Sequence, residues 1–200
     1  MPTLPVQLES CASLAQLPKP FHPEIAFAGR SNVGKSSLIN AITGVRIAPV
    51  SRTPGKTRTL RLYLWHPPKG AAICLVDLPG YGWANLPGHV LARWHPLVEG
   101  YLAGRPTLRA VVLVADLRRG STVLDHDMAV WLRGQGMPYL VVAAKADKIS
   151  RSKRATLLDA IATATAVSAE DIIEFSTVTR EGYRAVHAAV AALATGAVSR

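Results

Sequence analysis

Gly29-Arg30-Ser31-Asn32-Val33-Gly34-Lys35-Ser36 decides how the chain reads, because it fits the pattern Gly-x-x-x-x-Gly-Lys-Ser between an apolar run, Ile25 to Ala28, and a helix-like segment, Lys35 to Thr43. Glycines in such a turn let successive backbone N–H groups point inward at phosphate oxygens, and the helix that follows adds positive potential at its N-terminus. Lys35 then bridges the outer phosphates and Ser36 offers its hydroxyl to Mg²⁺. Gly29, Arg30, Ser31, Asn32, Val33, Gly34 and Ser37 make up the rest of the cradle. A Gly-rich turn alone is ordinary; the strand before it and the helix after it supply the context the motif requires.

Outward from the loop the same alternation repeats. Ile73 to Asp77 precedes Pro87 to Leu102, Val111 to Asp116 precedes Thr122 to Arg133, Tyr139 to Ala144 precedes Ser152 to Ala166, and Ile172 to Phe175 precedes Glu181 to Ala194. Strand and helix in turn predict parallel strands joined by right-handed crossovers. The expected fold class is therefore α/β, a P-loop nucleoside-triphosphatase fold with three α/β/α layers around a mixed, mostly parallel six-stranded sheet. Thr57 to Trp65 is the exception: Leu60, Leu62 and Leu64 alternate with Arg61, Tyr63 and Trp65, as in a half-exposed edge strand running antiparallel to the next one. Residues 1–22, with four prolines and no clear period, read as a lead-in to one domain over 23–195, and 196–200 as a tail.

Composition narrows the class further. The 200 residues are 49% apolar and 18% charged, which is globular, and no apolar run approaches the ~18 to 20 residues of a membrane span. Two cysteines, Cys11 and Cys74, make no disulfide framework, and the N-terminal segment lacks a secretory pattern, so a cytoplasmic protein without a membrane partner is expected. Twenty-three Lys and Arg against thirteen Asp and Glu leave a net +10, which attracts polyanions, nucleic acid first among them.

Four further segments complete a nucleotide site. Asp77 ends a buried strand and opens Asp77-Leu78-Pro79-Gly80, in which the carboxylate serves Mg²⁺ through a water and the Gly80 amide senses a terminal phosphate. Ala144-Lys145-Ala146-Asp147 ends another strand. An Asp carboxylate accepts from both the ring N–H and the exocyclic amine of guanine, two donors that adenine does not present at that edge, while the Lys145 stem covers the base plane. Phe175-Ser176-Thr177, after the last strand, is placed to offer a backbone N–H to the guanine carbonyl. Between the phosphate loop and Asp77 lies Thr53-Pro54-Gly55-Lys56-Thr57-Arg58-Thr59, where a threonine closing onto Mg²⁺ would make a triphosphate-dependent switch. Spacing does not choose among its three threonines.

The set GRSNVGKSS, TPGKTRT, DLPGYGWA, AKADK and FSTVTREG, with DLRRG and the stretch from Asp125 to Leu132, resembles the EngB (YihA/YsxC) family, a branch of the TrmE, Era, EngA, YihA and septin-like GTPases. The resemblance spans about Pro23 to Ala192. It implies a small GTPase fold, GTP and GDP binding with Mg²⁺, a role in assembling the large ribosomal subunit, and a tie to cell division and septation. It also implies that Thr57 is the metal ligand, with Gly55, Lys56, Arg58 and Thr59 around the nucleotide, and that Lys35, Thr57 and Gly80 carry the catalytic burden. The chain departs from the family at Ala144, where a Thr is usual and whose missing hydrogen bond costs on the order of 1 kcal/mol, and at Trp83 and Asn85, where Tyr and Lys are common.

Tyr81 stands where Ras-like proteins carry a water-orienting glutamine, so intrinsic hydrolysis is expected near 10⁻⁴ to 10⁻³ s⁻¹, roughly that of unassisted small GTPases. His89 and His95 lie nearby but read as solvated loop residues, and Tyr81 and Trp83 as switch residues exposed to a partner. Two activators are expected: K⁺ at Asn32, whose side chain holds that ion in related GTPases, and the ribosome. Basic residues at Arg105 and Arg109, Arg118 and Arg119, Arg151 with Lys153 and Arg154, and Arg180 with Arg184 suit contacts to ribosomal RNA phosphates. The expected protein is a monomeric, nucleotide-gated assembly factor for the large subunit. The rival readings are a GTP-binding scaffold for division without turnover and a P-loop ATPase or kinase, which Asp147 argues against.

Overall fold

The computed structural model describes residues 4–50, 59–81 and 96–196. The run Glu24–Gly29 (β2) has no charged residue after Glu24, is buried along its whole length, and accordingly lies at the centre of the sheet. On one side of it stand β4 (Ile73–Asp77), β3 (Leu60–Trp65) and β1 (Val6–Cys11); on the other stand β5 (Leu108–Asp116), β6 (Tyr139–Ala144) and β7 (Ile173–Phe175). Strands β4, β2, β5, β6 and β7 run parallel, while β3 is antiparallel to both β4 and β1.

Period-two alternation sends each strand's apolar residues to opposite faces, and both faces are covered. Ile25, Phe27, Val112, Val114 and Val142 pack with Leu38, Ile39 and Ile42 of α1 (Lys35–Thr43) and with Val186 and Val190 of α5 (Tyr183–Thr195). Ala26, Ala28, Val111 and Leu113 pack on the other face with Leu97, Val98, Tyr101 and Leu102 of α2 (Pro96–Gly104) and with Met128, Ala129 and Leu132 of α3 (Val123–Gly134). Val141 and Ala143 meet Ile161 of α4 (Arg151–Thr165) on that side. Val123, the first residue of α3, is 74% exposed, outside the face that Met128, Ala129 and Leu132 bury.

The three-layer P-loop architecture is as the sequence implies, with one strand more than the six expected. The seventh is β1, from the lead-in. Five of its six residues are exposed, so it carries no burial pattern that sequence reading would catch; its pairing with β3 holds it. That pairing also takes β3 off the edge. Tyr63 and Trp65 are buried as deeply as Leu60 and Leu62, and Trp65 meets His187 of α5 edge to face with ring centroids 4.7 Å apart. The antiparallel pairing of β3 with β4 is as expected.

Candidate functional site

The parallel strands end together, and the turns leaving β2, β4, β5, β6 and β7 meet at that end, where α/β sheets bind ligands. Gly29 has φ +150°, and a Cβ there would lie 2.5 Å from Val114 O, so the loop leaves β2 by a path only glycine permits. Lys35 opens α1, is 7% exposed, and donates to the carbonyls of Gly29 and Arg30 at 3.0 and 3.2 Å. Ser36 Oγ donates to Asp77 Oδ2 at 2.7 Å. Ser31 N donates to Tyr81 O at 3.0 Å and Ser31 Oγ to Gly80 O at 3.3 Å, so the segment Asp77-Leu78-Pro79-Gly80 is stitched to the loop. Gly80 presses so closely that a Cβ would stand 2.8 Å from the Ser31 backbone and 2.9 Å from Lys35 Nζ. Leu78 is buried in the apolar layer beneath, and Pro79 is half-buried.

On the other flank, Lys145 adopts φ +66° and its ammonium donates to Asn32 O at 2.7 Å and to Asp116 Oδ2 at 2.8 Å. Ala144 is buried, and a Cβ on Gly34 would sit 3.8 Å from its methyl, so the loop passes close to the base motif. Asp147 Oδ1 accepts from Ser176 Oγ at 2.8 Å and its Oδ2 from Lys148 Nζ at 3.3 Å. Burial raises the Asp147 pKa, but the Ser176 and Lys148 hydrogen bonds outweigh it and hold the carboxyl below its ordinary value. Ser176, fully buried, spends its own N–H on Glu181 O and accepts from the amides of Val178 and Thr179, while Thr177 is exposed. Phe175 and Ala146 are buried beneath.

A family model described as a 50S ribosome-binding GTPase matches residues 24–145. Probable GTP-binding protein EngB of Pelotomaculum thermopropionicum is 45% identical over 177 residues, covering 88% of this chain and 87% of the relative. The protein of the same name from Solibacter usitatus is 49% identical over 140 residues, 70% of this chain and 71% of the relative. A crystal structure of a probable GTP-binding protein EngB superposes with a TM-score of 0.68 at 25% identity, over 86% of this chain and 99% of that one. The chain belongs to the EngB family. Family membership brings GTP binding and GTPase chemistry with it.

As an EngB protein the chain is expected to use Mg²⁺, and its donor set fits that ion. Asp77 Oδ1 is buried with no hydrogen-bond partner among the described residues, beside the Ser36 hydroxyl, and Mg²⁺ takes hard oxygen ligands from one or two protein groups plus phosphates and waters. Burial pushes the Asp77 pKa up, against Lys35, the Ser36 hydrogen bond and Arg61; burial likewise pulls Lys35 down, against Asp77. Each charge is thus costly to bury, and the other offsets part of that cost.

Several candidates change place. Tyr81, expected exposed, is 7% exposed, and its hydroxyl donates to Asp125 Oδ1 of α3 at 2.9 Å. Arg105 and Arg154, expected on an RNA-facing surface, are half-buried and paired within the fold: Arg105 is bound to Glu24 at 2.6 Å, and Arg154 to Glu174 at 2.9 Å and Glu181 at 2.7 Å. Arg154 also donates to the carbonyls of Ala146 and Ile149, clamping the base loop against β7, which its place in a basic run concealed. The Thr59 hydroxyl pairs with Ser10 at 2.9 Å on the sheet edge. Gly55, Lys56, Thr57 and Arg58 lie outside the described residues, as do Thr53, Trp83, Asn85, His89, His95 and the expected first turns of the helix from Pro87.

Proposed function

We propose that this EngB protein is a slow GTPase that acts, as a monomer, as a nucleotide-gated switch in assembly of the large ribosomal subunit, and through that role supports normal cell division and septation. The observation that carries the proposal is the joining of the phosphate loop to both flanking motifs, by Ser31 to Gly80 and by Lys145 to Asn32 O, so that one nucleotide spans the two. The proposed GTP-binding unit is 23–195, with 1–22 leading in and adding β1 to the same sheet, and 196–200 trailing.

In this reading the backbone of Gly29 to Ser37 holds the phosphates, and Lys35 moves its ammonium from the Gly29 and Arg30 carbonyls to the outer pair. Mg²⁺, when bound, supplies charge neutralisation at those phosphates, with Ser36 and Thr57 as ligands and Asp77 acting through a water. Gly80 offers its amide to the terminal phosphate. Gly55, Lys56 and Arg58 border the nucleotide, Asp147 takes the two guanine donors, and Thr177 faces the guanine carbonyl. Tyr81 faces α3 and supplies no water-orienting group, which supports slow turnover in the absence of an activator.

K⁺ at Asn32 is the first activator we propose. Asn32 is exposed on the loop at φ +61°, a conformation Asn tolerates better than most residues. Turnover should be faster in K⁺ than in Na⁺, and Asn32→Ala should erase the ratio; equal rates in the two salts for the unaltered protein refute it. Binding to ribosomal RNA is tested by co-sedimentation with purified large subunits at low and moderate salt, with a non-hydrolysable GTP analogue, GDP or no nucleotide. Pelleting that requires the analogue and fades with salt is the expected result. Pelleting indifferent to nucleotide turns the reading toward a scaffold.

A further inference from the structure

Asp116 ends β5 and opens the DLRRG stretch much as Asp77 ends β4, so the two acids flank the loop that leaves β2, yet sequence reading gives a nucleotide role to Asp77 alone. The Asp116 carboxylate is 7% exposed and fully engaged. Arg118 grips it through Nε at 2.9 Å and through a terminal nitrogen at 2.6 Å, and the Arg118 amide adds a 3.2 Å contact. Lys145 Nζ donates to it at 2.8 Å and to Asn32 O at 2.7 Å.

Lysine is a flexible side chain with a strongly hydrated head, and it presents a fixed apolar stem only when that head is held. Here the Lys145 ammonium is held from two sides, by a loop carbonyl and by a buried carboxylate. The geometry points to Asp116 as a positioning residue of the guanine site: by anchoring the Lys145 head it fixes the stem as a floor for the base. The inference rests on Lys145 covering the base. Asp116 itself touches no nucleotide, and it serves every purine that the floor accepts. Arg118 adds a second positive partner to the carboxylate from the solvent side, so the acid stays ionised and its hold on Lys145 is maintained.

The test is a double-mutant cycle on the full chain with Mg²⁺, reading GDP and inosine diphosphate affinities by calorimetry. Asp116→Asn should weaken both nucleotides about tenfold and equally, because the floor does not read the exocyclic amine, leaving the GDP to inosine diphosphate ratio unchanged. Lys145→Met should weaken both as well. In the Lys145→Met background, Asp116→Asn should then add less than about twofold. If the two effects multiply in full, Asp116 acts on the fold and the inference fails while the Lys145 reading stands. If Lys145→Met alone leaves both affinities unchanged, the reading beneath it fails. Should Asp116→Asn not fold, Asp116→Glu, which keeps the charge but moves it by one methylene, completes the same cycle with the same criteria.

Discussion

Removing the Tyr81 hydroxyl by Tyr81→Phe tests the buried contact that ties the end of the Asp-x-x-Gly segment to α3. The hydroxyl donates to Asp125 Oδ1 at 2.9 Å, with the two residues 7% and 2% exposed. A hydrogen bond to a charged group contributes about 1.5 to 3 kcal/mol. Asp125 keeps its second donor, Thr122 Oγ1 at 2.7 Å, so it is not orphaned and the cost should be about 2 kcal/mol. In a domain this size that is roughly 4 to 8 °C of melting temperature. The sign with pH follows from Asp125. Burial raises its pKa, and the Thr122 and Tyr81 hydrogen bonds, with Arg30, pull it back, so Tyr81→Phe lets it rise further. The deficit is therefore full where Asp125 is ionised and shrinks as pH falls through its raised pKa, since the protonated acid has less need of a donor. Urea unfolding at pH 7.5 and pH 5, without nucleotide, reads both quantities. A difference from the unaltered protein below about 0.5 kcal/mol at pH 7.5, or a deficit that grows at pH 5, refutes the reasoning.

Two other outcomes follow from the same geometry. Asp147→Asn should lower GDP affinity by about 100-fold or more, since two charge-assisted bonds are lost, and should favour xanthosine diphosphate, whose carbonyl accepts from the new amide; competition binding checks both, and unchanged GDP affinity takes Asp147 off the base. Burial raises the Asp116 pKa, but Arg118 and Lys145 outweigh it and bring it to about 2, so Asp116 contributes about 2 kcal/mol of stability that is present above pH 4 and lost as pH falls toward 2. Urea midpoints between pH 5 and pH 2.5 should fall less steeply in Asp116→Asn than in the unaltered protein; parallel curves refute the shift.

The parallel core was legible because each of its strands is an apolar run closed by a polar residue or a turn, and the phosphate loop because its spacing is a covalent fact. Relations between distant side chains were not legible. Asp116 ends a buried strand, as Asp77 does, and opens the DLRRG stretch, but nothing local says that Lys145 will reach it. Tyr81 reads as a switch aromatic until its hydroxyl is seen to reach Asp125, 44 residues on. β1 escaped for the opposite reason: its exposed sequence carries no burial pattern, and its place comes from the pairing groups of β3.

Where the net +10 resides bears on the proposed RNA partner. Acids and bases inside the fold largely cancel: Glu24 holds Arg105, Asp77 lies in the field of Lys35, Asp116 holds Lys145, and Arg154 is held by Glu174 and Glu181. Among the described residues, the positive excess therefore lies outside these pairs. Arg119, Lys148, Arg151 and Lys153 are exposed on the turns after β5 and β6 and on the first turn of α4, beside the base site. Arg151 and Lys153 sit at a helix N-terminus, where the backbone dipole disfavours cations, and no acid in that turn offsets them. Local stability does not explain basic side chains there, whereas attraction to a polyanion does. In the proposed RNA reading these four side chains are the candidate phosphate contacts next to the base site, whereas Arg105 lies at the start of β2, held by Glu24.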